Sequence, residues 1–353
     1  MKPLSAWPVE QRRGIIGVLT DIDDTLTTDG AITPDAASAL AQLKAAGLHV
    51  VAITGRPIGW CEPFARGDAE RGTAPWPLDA MVAENGAVAY TMNATRRHAS
   101  SSGVSALSKL YLQDEATRHA NYQRLQRVAA QVLSAVPGTT LARDSAGRET
   151  DIAIDHSEFA HLSPSQINAV LAIMRAAGLH ATVSSIHING WLGTHNKLVG
   201  AHWIVSQHLG RNLAGEMDRW AYVGDSTNDQ VMFEAFDNSV GVANLRRFEA
   251  DLTHPPRYIA ARERGAGFAE VADALLAALA MRKIFRKATT IPKKRKMTKP
   301  HGQLPAKWSI TQPISAPPAI PPIKSANTRL PKRSLASTRW LICPVRSASL
   351  AAI

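Results

Sequence analysis

The stretch "GVLTDIDDTLTTDG", Gly17–Gly30, carries four aspartates at the end of an apolar run. The apolar residues predict a buried strand over residues 15–21. Side chains of an extended segment alternate, so Asp21 and Asp23 face the same way. Ligands of open parallel sheets bind outside the carboxyl ends of the strands. We therefore expect Asp21 and Asp23 to lie at a reaction site, and Asp24 to point away and stabilise the following turn.

Short apolar runs alternate with amphipathic stretches over residues 15–280, which predicts an α/β fold of βα units around a parallel sheet. A helix is predicted from Thr33 as its N-cap, with Pro34 in the first turn and Gly47 at its end. The further predicted strands of this sheet cover residues 49–55, 79–86, 220–226 and 238–244.

The pattern changes over residues 88–190, where a strand, a helix and two further strands are predicted. Apolar and polar residues alternate in these strands, which indicates a sheet with one face exposed to solvent. We interpret this stretch as an inserted α+β cap domain. The division expected from the sequence is therefore a core over residues 14–87 and 191–280, the cap between them, and a separate tail over residues 281–353.

The charge of the chain is unevenly distributed. The formal net charge is +11, but residues 281–353 hold 16 Lys and Arg and no acidic residue. Residues 1–280 carry 24 basic and 29 acidic residues, a net of −5. The tail also has 10 of the 21 prolines, a composition that predicts a disordered basic extension. A nucleic-acid contact through this tail is the less favoured interpretation.

The location of the protein is predicted from what the sequence lacks. Its two cysteines, Cys61 and Cys343, cannot form a disulfide framework or a zinc cluster. The first residues do not have the pattern of a signal peptide, and no apolar run has the length of a membrane span. We expect a cytoplasmic protein without a membrane contact.

Three elements beyond the opening motif supply polar residues at predicted strand or helix ends. They are "ITGR", the start of the predicted helix "NKLVGAHWIVSQHL", and "VGDSTND". Each has a structural explanation when taken alone, but together they lie at one end of the predicted sheet and indicate a shared site. Their candidate residues are Thr54, Gly55, Arg56, Lys197, Asp225, Asn228 and Asp229.

Carboxylates gathered in one cleft repel each other unless a cation balances them. Mg²⁺ prefers oxygen ligands, which a few carboxylates, water molecules and a substrate phosphate would supply here. One oxygen of Asp21, the backbone carbonyl of Asp23 and the carboxylate of Asp225 would suffice as protein ligands. Asp21 could then attack phosphorus, while Asp23 protonates the departing alcohol. Thr54 and Lys197 would hold the phosphoryl oxygens.

The motifs "DIDDT", "TGR", Lys197 and "GDSTND" resemble those of the haloacid dehalogenase-like (HAD) phosphohydrolases. The insertion resembles the type IIB, C2-capped subfamily, which includes sucrose-phosphate, trehalose-phosphate and mannosyl-phosphoglycerate phosphatases and Cof-type hydrolases. This resemblance covers about residues 14–275. It implies a Rossmann-like core with a C2 cap, and Asp21 as the nucleophile.

The resemblance also implies a full set of site residues. Asp23 would be the acid and base, and Asp229 would orient Lys197 or a metal-bound water. The predicted metal residues are Asp21, Asp23, Asp225 and Asp229. The predicted substrate contacts are Gly55, Arg56, Asn85, Asn189 and Asn228.

Candidates in the cap have weaker signals. His187, Asn189 and Trp191 alternate on one face of a predicted strand, where they would line the pocket or pack as a hinge. Arg148 and Asp151 could face the leaving group, although an exposed ion pair is the favoured interpretation.

The function expected from the sequence is a Mg²⁺-dependent phosphatase acting on a small phosphorylated metabolite, with a sugar phosphate as the first guess. A phosphomannomutase-like phosphosugar mutase remains open, because Arg124, Arg127, Arg143 and Arg148 could grip a second phosphate. A non-catalytic phospholigand sensor or nucleic-acid binder is the other alternative. The sequence does not predict which substrate is used or the oligomeric state.

Overall fold

The computed structural model describes residues 1–67, 74–92 and 107–289, with the backbone alone for residues 282–289. Residues 68–73 and 93–106, and the tail from residue 290 onward, lie outside the described residues.

A nine-stranded sheet lies at the centre of the larger structural unit of the described chain. Its strand order is β1-β15-β14-β13-β2-β5-β6-β7-β8, and neighbouring strands are parallel as far as β6. The last two strands are antiparallel. The strands are β1 (Lys2–Pro3), β2 (Gly17–Thr20), β5 (His49–Ile53), β6 (Ala80–Ala83), β7 (Val88–Met92), β8 (Leu107–Tyr111), β13 (Trp220–Gly224), β14 (Ser239–Gly241) and β15 (Tyr258–Ile259). A separate two-stranded ribbon consists of β3 (Thr27–Thr28) and β4 (Ala31–Ile32).

Helices cover both faces of this sheet because each central strand is apolar on both sides. Val18 of β2 packs into one buried cluster and Leu19 into the other. One face is covered by α2 (Pro34–Ala45), α3 (Ile58–Arg66) and α8 (Arg264–Thr289), and the opposite face by α6 (Lys197–Leu209) and α7 (Gln230–Ala235). A short α1 (Val9–Gly14) precedes β2. The predicted α/β fold is confirmed.

A four-stranded antiparallel sheet with its own core forms the inserted unit. Its strand order is β11-β12-β10-β9. Two helices pack on one face around a third buried cluster that includes Leu125, Ile154 and Val170. The elements are α4 (Glu115–Ala135), β9 (Thr140–Leu141), β10 (Asp151–Asp155), α5 (Pro164–Ala176), β11 (His180–Val183) and β12 (His187–Trp191).

The β7–β8 hairpin differs from the sequence expectation. Its residues fall inside the range expected for the cap, but β7 pairs with β6 in the large sheet, for example Val82 with Ala89. The tight turn over residues 84–86 reverses the chain directly beside β6, so the next strand extends the same sheet. We assign the hairpin to the core, and the inserted unit that we propose then starts after Tyr111 rather than at residue 88.

Helix α8 continues nine residues past Ala280, the last residue assigned to the body from the sequence. No proline or glycine occurs between Gly267 and Pro292, so the local sequence has no helix stop there. Among the described helices, α8 included, none is both long and apolar enough to cross a membrane.

Candidate active site

Four adjacent parallel strands end in polar residues at one edge of the large sheet. Asp225 follows β13, Asp21 follows β2, Thr54 follows β5 and Glu84 follows β6. Main-chain pairing continues past the strand ends, since the Asp21 amide donates to the Val223 carbonyl at 2.9 Å. The sheet itself therefore brings these side chains together, as the sequence predicts for the first three.

Lys197 reaches this edge from the first turn of α6. Asn196 caps the helix by accepting a hydrogen bond from the Val199 amide at 2.9 Å. Gly200 packs directly on Gly86: a side chain on Gly200 would collide with the Gly86 backbone, and one on Gly86 would collide with the Asn196 carbonyl. This close approach seats the first turn of α6 on the turn after β6. The Nζ of Lys197 then lies 2.6 Å from Asp21 Oδ1 and 2.7 Å from Asp229 Oδ1.

Asp229 is held on all sides by hydrogen bonds. The Tyr222 hydroxyl donates to Oδ1 at 2.5 Å, and the amides of Asp225 and Ser226 donate to Oδ2 at 2.9 and 3.1 Å. With the bond from Lys197, both oxygens of this carboxylate are engaged. The geometry thus favours Asp229 as the residue that orients Lys197.

Asp21, Asp225 and Asp229 are all buried, and each offers a carboxylate oxygen within 4.8 Å of the others. Together with Lys197 we call them the catalytic cluster. Burial raises the pKa of Asp21 to about 7, against the pull of Lys197, and burial beside two other carboxylates raises the pKa of Asp225 well above its usual value. Burial opposes the charge of Lys197, but the neighbouring carboxylates outweigh it and raise that pKa.

The catalytic cluster fits a hard divalent cation. Its donors are oxygen only, and its one lysine contacts two of the three carboxylates. The third, Asp225, has the half-exposed Arg247 at 3.5 Å. Such a surplus of negative charge is the environment that Mg²⁺ satisfies in proteins. The Asp23 side chain is outside this group because it pairs with Arg56. The expectation for Asp23 concerned its backbone carbonyl and stays a prediction.

The residues predicted to contact substrate lie around Gly55. The Gly55 carbonyl accepts from Asn189 Nδ2 at 3.2 Å, which joins the inserted unit to the core. Asn85 lies beside Gly55, and its buried Nδ2 has no hydrogen-bond partner among the described residues. A small cavity is lined by the predicted residues Asp21, Asp23, Thr54, Gly55, Arg56, Asn189 and Asn228, together with residues 184–187.

Arg56 is surrounded by three carboxylates. Its Nε donates to both oxygens of Asp23 at 3.0 Å, and its terminal nitrogens donate to Asp144 at 3.0 Å and to Glu158 at 2.8 Å. We call these four residues the Arg56 clasp. Asp144 and Glu158 belong to the inserted unit, so the clasp ties it to the core. Arg56 was predicted to bind substrate, yet its donors are committed to protein carboxylates here.

Glu158 was missed in the sequence analysis. It also bonds His187 Nε2 at 2.9 Å, and these bonds from His187 and Arg56 outweigh its burial and lower the pKa of Glu158 to about 2. Of the three alternating residues on β12, His187 and Asn189 line the small cavity. Trp191 instead donates to the His195 carbonyl at 2.9 Å.

Arg148 and Asp151 form a buried pair, so the exposed ion pair favoured from the sequence is wrong. Arg148 Nη1 donates to both oxygens of Asp151 at 2.8 and 2.9 Å and to the Gly55 carbonyl at 3.0 Å. Their side chains are 2% and 0% exposed. The sequence spacing of three residues suggested a pair, but only packing against Gly55 buries it. We call these two residues the cap pair.

Glu84 is a second residue that sequence reasoning missed. Its carboxylate is fully buried and accepts from the amide of Ile58 at 3.0 Å, and from the amide and hydroxyl of Thr150 at 2.5 Å. Burial raises the pKa of Glu84. The "ENG" triplet was the available signal, because an acidic residue after a buried strand needs partners.

A cavity of about 400 Å³ adjoins the small one and shares Asp23, Arg56, Ser185 and Ile186 with it. Its other lining side chains include donors and acceptors: Asp24, Thr27, Asp29, Glu158, Arg247 and Arg264. Arg247 and Arg264 each lie near Asp24, at 2.9 and 3.2 Å, contacts that the sequence analysis did not foresee.

Residues 18–126 match the family model of haloacid dehalogenase-like hydrolases. No curated protein matches the chain. Similar solved structures include the sucrose-phosphatase of Synechocystis sp. PCC6803 in complex with sucrose and phosphate, with TM-score 0.50, 16% identity, and 74% of this chain and 98% of that chain covered. A Thermoplasma acidophilum protein has TM-score 0.51 and 15% identity over the same shares of the two chains. A candidate HAD/COF-like hydrolase from Plasmodium vivax has TM-score 0.52 and 17% identity, over 79% and 100%.

At these identities the solved structures establish the fold, and the family model covers the part of the chain that contains "DIDDT" and "TGR". Residues 18–126 are therefore similar to the haloacid dehalogenase-like hydrolases, and the solved structures have the fold of this chain over about three quarters of its length.

Proposed function

We propose that the protein is a phosphatase that releases phosphate from a small phosphorylated metabolite through an aspartyl-phosphate on Asp21. The observation that carries the proposal is Lys197 Nζ at 2.6 Å from Asp21, in a cluster of three buried carboxylates of which Asp21 lines the small cavity. A lysine in contact with a nucleophile that faces a cavity suits a dianionic phosphoryl group.

In the proposed first step, the Asp21 carboxylate attacks phosphorus and the bond from phosphorus to the leaving oxygen breaks. The electron pair goes to that oxygen, which takes a proton from Asp23. Lys197 and the Thr54 hydroxyl stabilise the phosphoryl oxygens. In the second step Asp23 accepts a proton from water, the water oxygen bonds to phosphorus, and the Asp21 carboxylate is regenerated with release of inorganic phosphate.

Mg²⁺ would be held by Asp21 and Asp225, and would shield the attacking carboxylate from the charge of the incoming phosphate. Asp229 would act through Lys197, because its oxygens are already engaged. The Arg56 clasp must loosen in the cycle, since Asp23 cannot pass on a proton while Arg56 donates to both its oxygens.

The proposed substrate class is a sugar phosphate. The cavity of about 400 Å³ has room for a sugar-sized leaving group, and its mixture of carboxylates and guanidinium groups suits hydroxyl groups, which both donate and accept. The similar Synechocystis structure holds sucrose and phosphate, which agrees with this class.

A mutase receives less support from the described residues. Arg124 donates to the Ala177 carbonyl, Arg143 stacks on Phe159 at 3.6 Å and Arg148 belongs to the cap pair. Arg127 is exposed on α4. These four arginines do not form a shared anion site.

The test is phosphate release from a panel of sugar phosphates, nucleoside monophosphates and p-nitrophenyl phosphate, in Mg²⁺ and in EDTA. We expect release in Mg²⁺ only, with a sugar phosphate as the best substrate. The same assay with a sugar bisphosphate separates hydrolysis from phosphoryl transfer between positions. Equal rates in EDTA would remove the metal from the proposal, and no release from any ester would overturn the phosphatase.

A further inference from the structure

The chain that follows β14 reaches the catalytic cluster with a residue that the sequence analysis did not select. Asn244 is buried in the first turn of the 3-10 helix Ala243–Asp251. Its Nδ2 donates to Asp225 Oδ2 at 3.1 Å and to the backbone carbonyl of Asp24 at 3.0 Å. Asp24 follows β2 and Asp225 follows β13, so one amide group joins the two acidic segments of the site.

The hydrogen bond from Asn244 is the shortest of three on the Asp225 carboxylate. Oδ2 also lies 3.5 Å from Arg247, whose side chain is half-exposed. Oδ1 accepts a longer bond, at 3.4 Å, from the Thr25 hydroxyl. Because a buried side chain has less freedom to move than a half-exposed one, Asn244 is the better fixed donor on Oδ2.

Asn244 is itself held in place by the start of α8. Its Oδ1 accepts from the Arg264 amide at 2.9 Å, and this bond sets which end of the side-chain amide faces Asp225 and Asp24. Arg264 and Asp24 both have left-handed backbone conformations, with φ of 52° and 54°. Such conformations are uncommon for residues with a side chain and persist where the surrounding structure holds them, often at functional sites.

These contacts matter for a metal because carboxylate ligands are usually hydrogen-bonded themselves. Loss of such a partner typically lowers metal affinity by 10- to 100-fold. In the proposed function Asp225 holds Mg²⁺, and the backbone carbonyl of Asp23 is a predicted ligand. Asn244 bonds to Asp225 and to the residue that follows Asp23. As a neutral amide, it can orient a carboxylate without competing with a cation for it.

We propose that Asn244 is a positioning residue of the metal site, which sets the orientation of Asp225 and fixes the backbone at Asp24. The inference rests on the proposed function, in which Asp225 holds Mg²⁺. It adds the segment after β14 to the parts of the chain that build the site.

The test is calorimetric titration of the full chain with Mg²⁺, without substrate. Asn244→Ala should raise the dissociation constant by about 10- to 100-fold. Asn238→Ala is the matched control, because Asn238 is a buried asparagine at the opposite end of β14 that donates to the Asp218 carbonyl at 2.8 Å. It should leave the dissociation constant unchanged.

Urea unfolding in EDTA separates positioning from a purely structural role. Both alanine variants remove hydrogen bonds of a buried amide, so both should lower the urea midpoint, whereas only Asn244→Ala should weaken Mg²⁺ binding. Asn244→Ser, with a shorter polar side chain, is the second variant should the alanine variant not fold, and it should weaken binding in the same direction. An unchanged dissociation constant in a folded Asn244 variant, or an equal change in Asn238→Ala, would overturn the proposal.

Asp225→Asn distinguishes this failure from a failure of the proposed metal site. If Asp225→Asn loses Mg²⁺ while the Asn244 variants bind it like wild type, only the positioning role is overturned. If Asp225→Asn binds Mg²⁺ as tightly as wild type, or wild type does not bind it, the assignment of Asp225 as a ligand falls together with the role of Asn244. No readout uses turnover, so the result does not depend on finding the substrate.

Discussion

Asp21 in the catalytic cluster and Asp151 in the cap pair are both buried, and burial raises the pKa of each to about 7. Their neighbours differ. Asp151 receives two hydrogen bonds from one guanidinium group and a third from Asn189. Asp21 shares one lysine with Asp229 and faces Asp225 as well. In the cap pair a guanidinium group contacts the Asp151 carboxylate directly, with Asp144 as its second partner, whereas the catalytic cluster has three buried carboxylates around one buried lysine.

This difference separates a structural ion pair from a reactive one. A balanced buried pair holds two elements together, and it costs stability when one partner is removed. A surplus of buried carboxylates costs stability as it stands, unless a cation is added. We therefore expect neutralisation of one carboxylate to have opposite effects in the two places.

The largest effect is expected for Asp21→Asn. The amide cannot attack phosphorus, so kcat should fall by roughly 10⁴-fold or more, as for loss of other nucleophilic residues. Release of phosphate from p-nitrophenyl phosphate measures the effect, and circular dichroism checks that the fold is retained. Asp151→Asn serves as the matched control, because it changes a buried aspartate that touches no phosphate. Comparable rates for Asp21→Asn and wild type would contradict the assigned nucleophile.

The next effect is expected for Asp23→Asn, which removes the proposed acid. Loss of a general acid typically costs 10²- to 10⁴-fold, and the loss should be smallest for p-nitrophenyl phosphate because its leaving group needs little protonation. The measurement is kcat/KM for this ester and for an alkyl phosphate in wild type and variant. An equal loss for both esters would indicate that Asp23 only anchors Arg56 through the Arg56 clasp.

Arg148→Met is expected to lower the free energy of unfolding by roughly 3–5 kcal/mol, because it leaves the Asp151 carboxylate buried without its counter-ion. Urea unfolding at pH 7.5 measures the change. The double variant Arg148→Met with Asp151→Leu removes both charges and should recover most of the loss. If the single variant lost less than about 1 kcal/mol, the pair would not be the buried contact described above.

The smallest expected effect tests most directly whether the catalytic cluster, unlike the cap pair, has a surplus of carboxylates. In EDTA at pH 8, Asp225→Asn is expected to raise the free energy of unfolding by about 1 kcal/mol or more, since it removes one surplus charge. The gain should shrink at pH 6. Asp21 has a raised pKa, so its protonated form is favoured in the fold, and the stability this confers is lost as the pH rises through about 7.

Mg²⁺ provides the complementary measurement. At a concentration of 100 times its dissociation constant it should stabilise wild type by about 2.7 kcal/mol and Asp225→Asn much less. Thermal unfolding with and without Mg²⁺ detects this difference. A destabilised Asp225→Asn in EDTA, with an unchanged response to Mg²⁺, would remove Asp225 from the metal site.

The parts of the site that follow strands were predictable. Asp21, Thr54 and Asp225 follow β2, β5 and β13, and parallel strands deliver their ends to one edge, so the motif positions alone place them together. The contact of Lys197 with Asp229 was expected only through the family resemblance, and its contact with Asp21 was not predicted beyond their place in a shared site. The position of Lys197 beside Asp21 depends on the close contact between Gly86 and Gly200, and the sequence around neither glycine predicts that contact.

The partners of Arg56 and Arg148 were not predictable. Asp144 and Glu158 are 88 and 102 positions from Arg56, and their contacts exist only because the inserted unit packs over the catalytic edge. The sheet that the β7–β8 hairpin joins was not predictable for a similar reason, because hydrogen bonds to β6 decide it.

The sequence by itself determined the fold class, the inserted unit and the order of the acidic motifs, because periodicity and strand-end chemistry are local properties of the chain. Tertiary structure alone decided which charges are balanced. The charge balance of a buried carboxylate depends on groups within a few ångströms that are far apart in the chain. Arg56, which pairs with Asp23, takes its other two carboxylates, Asp144 and Glu158, from the inserted unit.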